Sequence, residues 1–299
     1  MSREVIFRCL IVVACVGFTN RAESSGADEL DLPRIAEMHL KEARAYAIYL
    51  DSTRKKPLEL QSDPIFKWQN LTNQGGQLGA IYVWTREGRP EVLGTMFSQR
   101  EKEQRNVIHE FHTLADVLVA VDSPKDVARQ WKPKGTLPFV PLMSAPMVAE
   151  TAVRRISQMR TLSREFAAFT QIESERVELR LAPQPLIRYQ PTRSDVLDGA
   201  IFAFLSSAAG TDPEVMLMIE ARKTDANATD WTWHLGIVRF TERDLVVTRK
   251  DTELFSSISN PKLHVAIEDN YKWCHTPDET YCVFHAKFVP ELTKPSGNP

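Results

Sequence analysis

Residues 79–97 read GAIYVWTREGRPEVLGTMF. Ala80, Tyr82 and Trp84 alternate with Ile81 and Val83, the period of two that a strand imposes. Arg86-Glu87-Gly88-Arg89-Pro90 reads as a turn, because Gly88 tolerates a positive φ and Pro90 cannot donate to a ladder. Residues 92–97 then return as the second strand of a hairpin. Both faces of the first strand are apolar, so a covering layer is expected on each side.

A second copy of this stretch occurs downstream. LELQSDPIFKWQ at 58–69 and LRLAPQPLIRYQ at 179–190 align at an offset of 121 (179 − 58). Lys67 and Arg188 agree in kind, as do Trp68 and Tyr189. GAIFAF at 199–204 answers GAIYVW at 79–84, and Pro213-Glu214-Val215 answers Pro90-Glu91-Val92. The second turn is three residues longer: 213 − 199 is 14, and 90 − 79 is 11. A helical pattern precedes each block. Over 31–51, Asp31 is placed to cap and Pro33 suits the first turn. Over 149–169, Val153, Ile156, Met159, Leu162, Phe166 and Phe169 share one face. Three matched blocks in one order point to a duplication. The expected fold is α+β: two tandem similar units, each a helix followed by an antiparallel sheet of about four strands, packed as a pseudo-dimer.

These blocks divide the chain. Residues 1–27 read as a signal peptide, 28–121 as the first unit, 122–147 as a Pro-rich linker, 148–289 as the second unit and 290–299 as a disordered tail. Pro124, Pro133, Pro138, Pro141 and Pro146 mark the linker. Arg3 and Arg8 flank an apolar run from Cys9 to Phe18, and small polar residues come after it. That run is too short to span a bilayer as a mature helix. The expected location is periplasmic or secreted, with no transmembrane helix in the mature chain. Val12-Val13-Ala14-Cys15 also resembles a lipobox, which leaves a lipoprotein anchored through Cys15 as the lesser alternative.

The chain has 299 residues and a formal net charge of −2. That charge argues against nucleic acid as a partner. Of its four cysteines, Cys9 and Cys15 fall in the leader. An exported chain favours a disulfide between Cys274 and Cys282. His275 and His285 lie beside them, but the usual zinc-site spacing is missing.

His109-Glu110-Phe111-His112 invites a metal reading, yet its histidines are three apart where the helical protease motif needs four. On a strand, Glu110 and His112 share a face and His109 points away. His234 maps near His112 in the second copy. Glu110, His112 and His234 are therefore the candidate binding residues. No metal, cofactor or catalytic set is assigned. No nucleophile elbow, phosphate loop or dinucleotide fingerprint occurs.

The blocks GAIYVWTREGRPEV at 79–92, VIHEFHTL at 107–114, LAPQPLIRY at 181–189, DGAIFAF at 198–204 and TDPEVMLMIEAR at 211–222 also carry a resemblance. Together they resemble secreted proteins of planctomycete bacteria, over roughly residues 30–285. The resemblance implies a bacterial, exported protein and brings no activity with it. The expected function is a non-enzymatic binding or interaction module of the cell envelope, with a protein, peptide or glycan as partner. The alternative is a hydrolase or metal-dependent enzyme with a site between the two units.

Overall fold

The computed structural model describes residues 30–50, 54–71, 76–115, 120–122, 131, 133, 135–172, 174–192, 194–206, 210–224, 228–257, 264–265, 274–275 and 280–293. The expected leader over 1–27 lies outside these residues, as do the last six residues of the expected tail and parts of the linker. The chain divides into a small unit, which joins residues 1–30 and 293–299, and a large unit over 31–292.

Helix α1 (Leu32–Arg44) opens the large unit, with the Asp31 side chain accepting from the Arg34 N–H and Pro33 in the first turn. Strands β1 (Ala47–Tyr49), β2 (Glu59–Leu60), β3 (Phe66–Asn70), β4 (Gln77–Arg86), β5 (Arg89–Glu101), β6 (Gln104–Thr113) and β7 (Ala120–Asp122) come next. After β8 (Val140–Pro141) comes helix α2 (Ala152–Ser163), capped by Thr151. Then come β9 (Phe166–Ile172), β10 (Glu175–Glu178), β11 (Arg180–Leu181), β12 (Ile187–Tyr189), β13 (Val196–Leu205), β14 (Pro213–Lys223), β15 (Trp231–Arg239), β16 (Leu245–Arg249) and β17 (Thr252–Ser257). The last strands are β18 (His264–Val265), β19 (Cys274–His275) and β20 (Tyr281–Pro290).

The first large sheet runs β18-β19-β20-β6-β5-β4, with β2 and β3 both pairing to the far side of β4. The second runs β8-β15-β14-β13, with β11 and β12 both pairing to β13. A four-stranded sheet, β10-β9-β16-β17, and the ribbon β1-β7 are also present, and among the described residues every pairing is antiparallel.

The opening hairpin forms as its alternation dictates. Ile81 and Val83 face a core shared with Ile201, Ala203, Met216 and Met218 of the second sheet. Ala80, Tyr82 and Trp84 face Ala43, Tyr46 and Ile48 on the α1 side. In the second sheet, Phe202 and Phe204 meet Met159 and Leu162 of α2. The layers therefore run helix, sheet, sheet, helix, and both faces of β4 and β13 are largely buried.

The matched sequence blocks are matched in pairing too. The Leu58 N–H donates to the Ile48 carbonyl, as Leu179 does to Ala168. Ile65 donates to Ile81, as Leu186 does to Ile201. The Trp68 indole lies over Gly79, and the Tyr189 ring lies over Gly199.

The expected fold class needs correction. Among the described residues the structure is mostly antiparallel sheet with two helices, not a pair of helix-plus-four-strand α+β units packed as a pseudo-dimer. Two physical causes account for this. Both helices stop early, at Arg44 and Ser163, because the residues beyond them change period: Tyr46 and Ile48, then Phe166, Ala168 and Thr170, are buried at every second position. And the outer edges of β6 and β15 would expose unpaired backbone groups, so other chain segments cover them. The C-terminal β20 covers β6, and β8, from within the expected linker, covers β15. The chain is thus interleaved rather than laid out as two tandem blocks.

The expected Cys274–Cys282 disulfide is also corrected. Cys274 pairs with Phe284, and Cys282 pairs with Phe111 on the next strand. That register sets the two cysteines diagonally, two positions apart along neighbouring strands, a spacing of roughly 7–8 Å that a disulfide does not bridge. Cys282 is a buried thiol in the core on the α1 side.

Candidate functional site

The candidate site is a cavity of about 510 Å³ between α1 and strands β3 and β4. Leu32, Ile35, Ala36 and Leu40 of α1 form one wall; Trp68, Leu78, Gly79 and Tyr82 form the other. Glu37, Asp63 and Lys67 also line it, and Thr211 reaches it from the second half of the chain. Thr211 is held there by backbone pairing: its N–H donates to the Gln69 carbonyl at 2.9 Å. The volume falls within the range of roughly 300–1,000 Å³ typical of small-molecule sites.

The repeat supplies an internal comparison. Ile35 answers to Arg155, Lys67 to Arg188 and Leu78 to Asp198, by the offsets of the matched helices and strands. In the second half these positions form an ion cluster. Arg155 Nε donates to Asp198 Oδ2 at 2.8 Å, and Arg188 Nη2 donates to the same oxygen at 2.7 Å. Gln190 adds a third donor to it at 3.2 Å. Arg155 and Arg188 also satisfy the Glu150 and Ala152 carbonyls at the start of α2. The second half thus fills with charge the place that the first half leaves as an apolar cavity.

Two side chains with hydrogen-bonding groups, His39 and Tyr82, line the cavity from buried positions. His39 is 2% exposed. Its Nε2 is 3.0 Å from Ser98 Oγ. Burial, with the Arg105 guanidinium nearby, pushes the imidazole down to about 3, so it is neutral throughout the physiological range. Tyr82 is pushed up to about 12, chiefly by burial, and stays a neutral phenol.

The residues expected from sequence lie elsewhere. Glu110 and His112 do come together, both against Tyr281 of β20. The Tyr281 hydroxyl donates to Glu110 Oε1 at 2.9 Å, and the His112 ring lies 6.2 Å from the Tyr281 ring. Burial pushes Glu110 up to about 8, opposed by the Tyr281 hydrogen bond and reinforced by Glu242, Glu214 and Asp212. His112 Nδ1 is 2.7 Å from the Thr113 carbonyl, and its Nε2 is 3.1 Å from Thr280 Oγ1. Both ring nitrogens are thereby engaged. His234 does not join them. It pairs with Glu220 on β14 and lies beside Thr232 and Arg222.

Nor is His234 the repeat counterpart of His112. Glu91 and Glu214 are equivalent, since their carbonyls accept from Leu114 and Phe240 respectively. Two residues on, Leu93 pairs with His112 and Met216 pairs with Val238. Among the described residues, no group of three or more His, Cys, Asp or Glu side chains is placed to hold a metal. No described helix is long and apolar enough to cross a membrane.

His39, Ser98, Leu78 and Ile35 were missed by motif reasoning, because the site contains no motif. The available signal was the mismatch between aligned positions of the repeat: Leu78 against Asp198, and Ile35 against Arg155. No protein-family model, curated protein or solved structure matches the chain.

Proposed function

We propose that this chain is a non-enzymatic binding module, exported to the cell envelope, that takes a small apolar molecule into the cavity under α1. The single observation that carries this reading is the contrast between the halves. The fold closes this place with an Arg155–Asp198–Arg188 cluster in one half. In the other half, at the same place, it leaves about 510 Å³ walled mainly by apolar side chains. An open apolar recess of that size leaves its wall side chains against water, a cost that an apolar occupant removes. The chemistry at its wall supports binding over turnover. A histidine held near 3 is a poor general base at neutral pH, and the Tyr82 phenol stays protonated. Export is proposed on the arginine-flanked apolar run at the N-terminus.

The test is a titration with N-phenyl-1-naphthylamine, an uncharged dye that fluoresces in apolar surroundings. Saturable binding is expected, and Ala36→Trp, which fills the cavity from α1, is expected to abolish it without lowering the melting temperature. Equal binding by both proteins would overturn the reading.

A further inference from the structure

The polar chain behind the cavity fixes which nitrogen of His39 carries the proton. Arg105 Nη1 donates to Ser98 Oγ at 3.2 Å and to the Ser98 carbonyl at 3.2 Å. Arg105 is fully buried, and its Nε donates to Glu291 Oε1 at 2.9 Å. A guanidinium has no acceptor to offer, so Ser98 Oγ is the receiving partner in that pair. Ser98 Oγ has a second lone pair for an Nε2–H, but its buried hydroxyl proton would then lack an acceptor among the described residues, so the arrangement that satisfies every group has Ser98 donating to His39 Nε2. A neutral imidazole that accepts at Nε2 carries its proton on Nδ1. The ring is thereby locked as a one-sided donor in the cavity wall. Its repeat counterpart on α2 is Met159, which sits in an apolar core. The hydrogen-bonding side chain thus occurs in the half whose space is open.

The charges around the cavity set a second condition. Glu37 and Asp63 face it with Lys67, two carboxylates against one ammonium. An anionic headgroup would meet net repulsion there.

We infer that the cavity takes a molecule with an apolar body and an uncharged acceptor oxygen, a ketone, ester or amide carbonyl, which receives a hydrogen bond from His39 Nδ1–H. This rests on the cavity being the binding site. A carbonyl placed against that donor gains a net hydrogen bond over an alkyl group of equal shape.

Acetophenone and cumene test this, because they differ chiefly by a carbonyl oxygen in place of a methyl group. Both are titrated into the full protein and followed by amide chemical shifts of the residues lining the cavity. Acetophenone is expected to bind roughly fivefold tighter, the worth of about one net hydrogen bond. The preference should vanish in His39→Leu and weaken in Ser98→Ala, which frees the ring to take either tautomer. The ring nitrogens of the unmodified protein give a readout independent of any variant: Nε2 should resonate as an unprotonated nitrogen and Nδ1 as a protonated one. Equal affinities with cumene still bound, or a protonated Nε2, would overturn the inference while leaving the cavity as a binding site. Binding of neither compound would overturn both.

Discussion

Arg155 Nε and Asp198 Oδ2 lie 2.8 Å apart at the place where, across the repeat, Ile35 and Leu78 line an open cavity. One backbone arrangement therefore supports two fillings. This makes the cavity testable by transplantation. The double variant Ile35→Arg/Leu78→Asp should rebuild the ion cluster, with Lys67 standing for Arg188. Dye affinity is expected to fall by more than tenfold while the fold survives. Unchanged affinity in a folded double variant would show that the dye sits elsewhere. Leu78→Asp alone is expected to lower the melting temperature, since it buries a carboxylate without the arginine that answers it.

Gly79 and Gly199 make a second, independent test of the repeat. A Cβ at Gly79 would stand 2.2 Å from Trp68 Cε2, and one at Gly199 would stand 2.4 Å from Tyr189 Cζ. Each ring packs on its glycine, so an added methyl must push the ring off the strand. Gly79→Ala and Gly199→Ala should each destabilise by about 1–3 kcal/mol, the range for forced overpacking. Urea denaturation reads this directly. A loss confined to one of the two would mean that the two ring-on-glycine contacts are not equivalent.

Arg89 joins the two large sheets. It is fully buried; its Nε donates to Glu220 Oε1 at 2.9 Å and its Nη1 to Glu91 Oε2 at 2.7 Å. Tyr189 and Arg222 also bond Glu220, at 2.8 and 3.0 Å. Arg89→Met should cost about 3–5 kcal/mol, because it strands buried carboxylates without their central cation. Arg222→Met should cost less, since that guanidinium is partly solvated and supplies one bond to Glu220. Chemical denaturation of the two variants side by side checks the order, and a larger loss for Arg222→Met would refute it.

Much of this was legible in the sequence, and the failures have identifiable causes. The alternation through Ala80 to Trp84 marked the strand and its two covered faces, because β periodicity is local information. The repeat was legible because Gly79 and Gly199, Pro64 and Pro185, and Trp68 and Tyr189 sit at close to constant offsets. The edge partners were not legible. Which segment covers β6 depends on the long-range pairing of Cys282 with Phe111, and no local pattern announces it. The disulfide failed for the same reason: two cysteines near in sequence are set apart by a strand register that only the third strand fixes. The binding cavity stayed hidden because it is made of ordinary core residues. Its trace was the exchange of Leu78 for Asp198 and of Ile35 for Arg155 between otherwise similar blocks, which a motif search does not examine.

The cysteine register carries its own prediction. With Cys274 opposite Phe284 and Cys282 buried against the α1 core, reductant should leave the melting temperature unchanged. Mass spectrometry after alkylation of the unfolded protein should find both thiols modified. A mass two daltons short, with protection lost on reduction, would restore the disulfide.

Glu110 offers the clearest pH signature. Its carboxyl is pushed up to about 8 by burial, from an ordinary value of 4.5, while Tyr281 donates to it at 2.9 Å. A raised acid binds its proton more tightly in the folded chain than in the unfolded one. Its contribution to stability is therefore fully present below about pH 4.5 and is lost as pH climbs towards 8. His39 acts in the opposite sense. Its depressed value, about 3 against 6.5, makes stability fall as pH drops through that window. Between about 6.5 and 8 the Glu110 contribution stands alone of the two. Glu110→Gln keeps an oxygen for the Tyr281 hydroxyl but removes the titration. Its stability curve should be flatter than that of the parent over this upper range, and the variant should be the more stable protein once the pH exceeds about 8. Parallel curves for the two proteins would mean that Glu110 ionises in the folded chain at an ordinary pH, and that the acidic residues about Tyr281 are better hydrated than their burial implies.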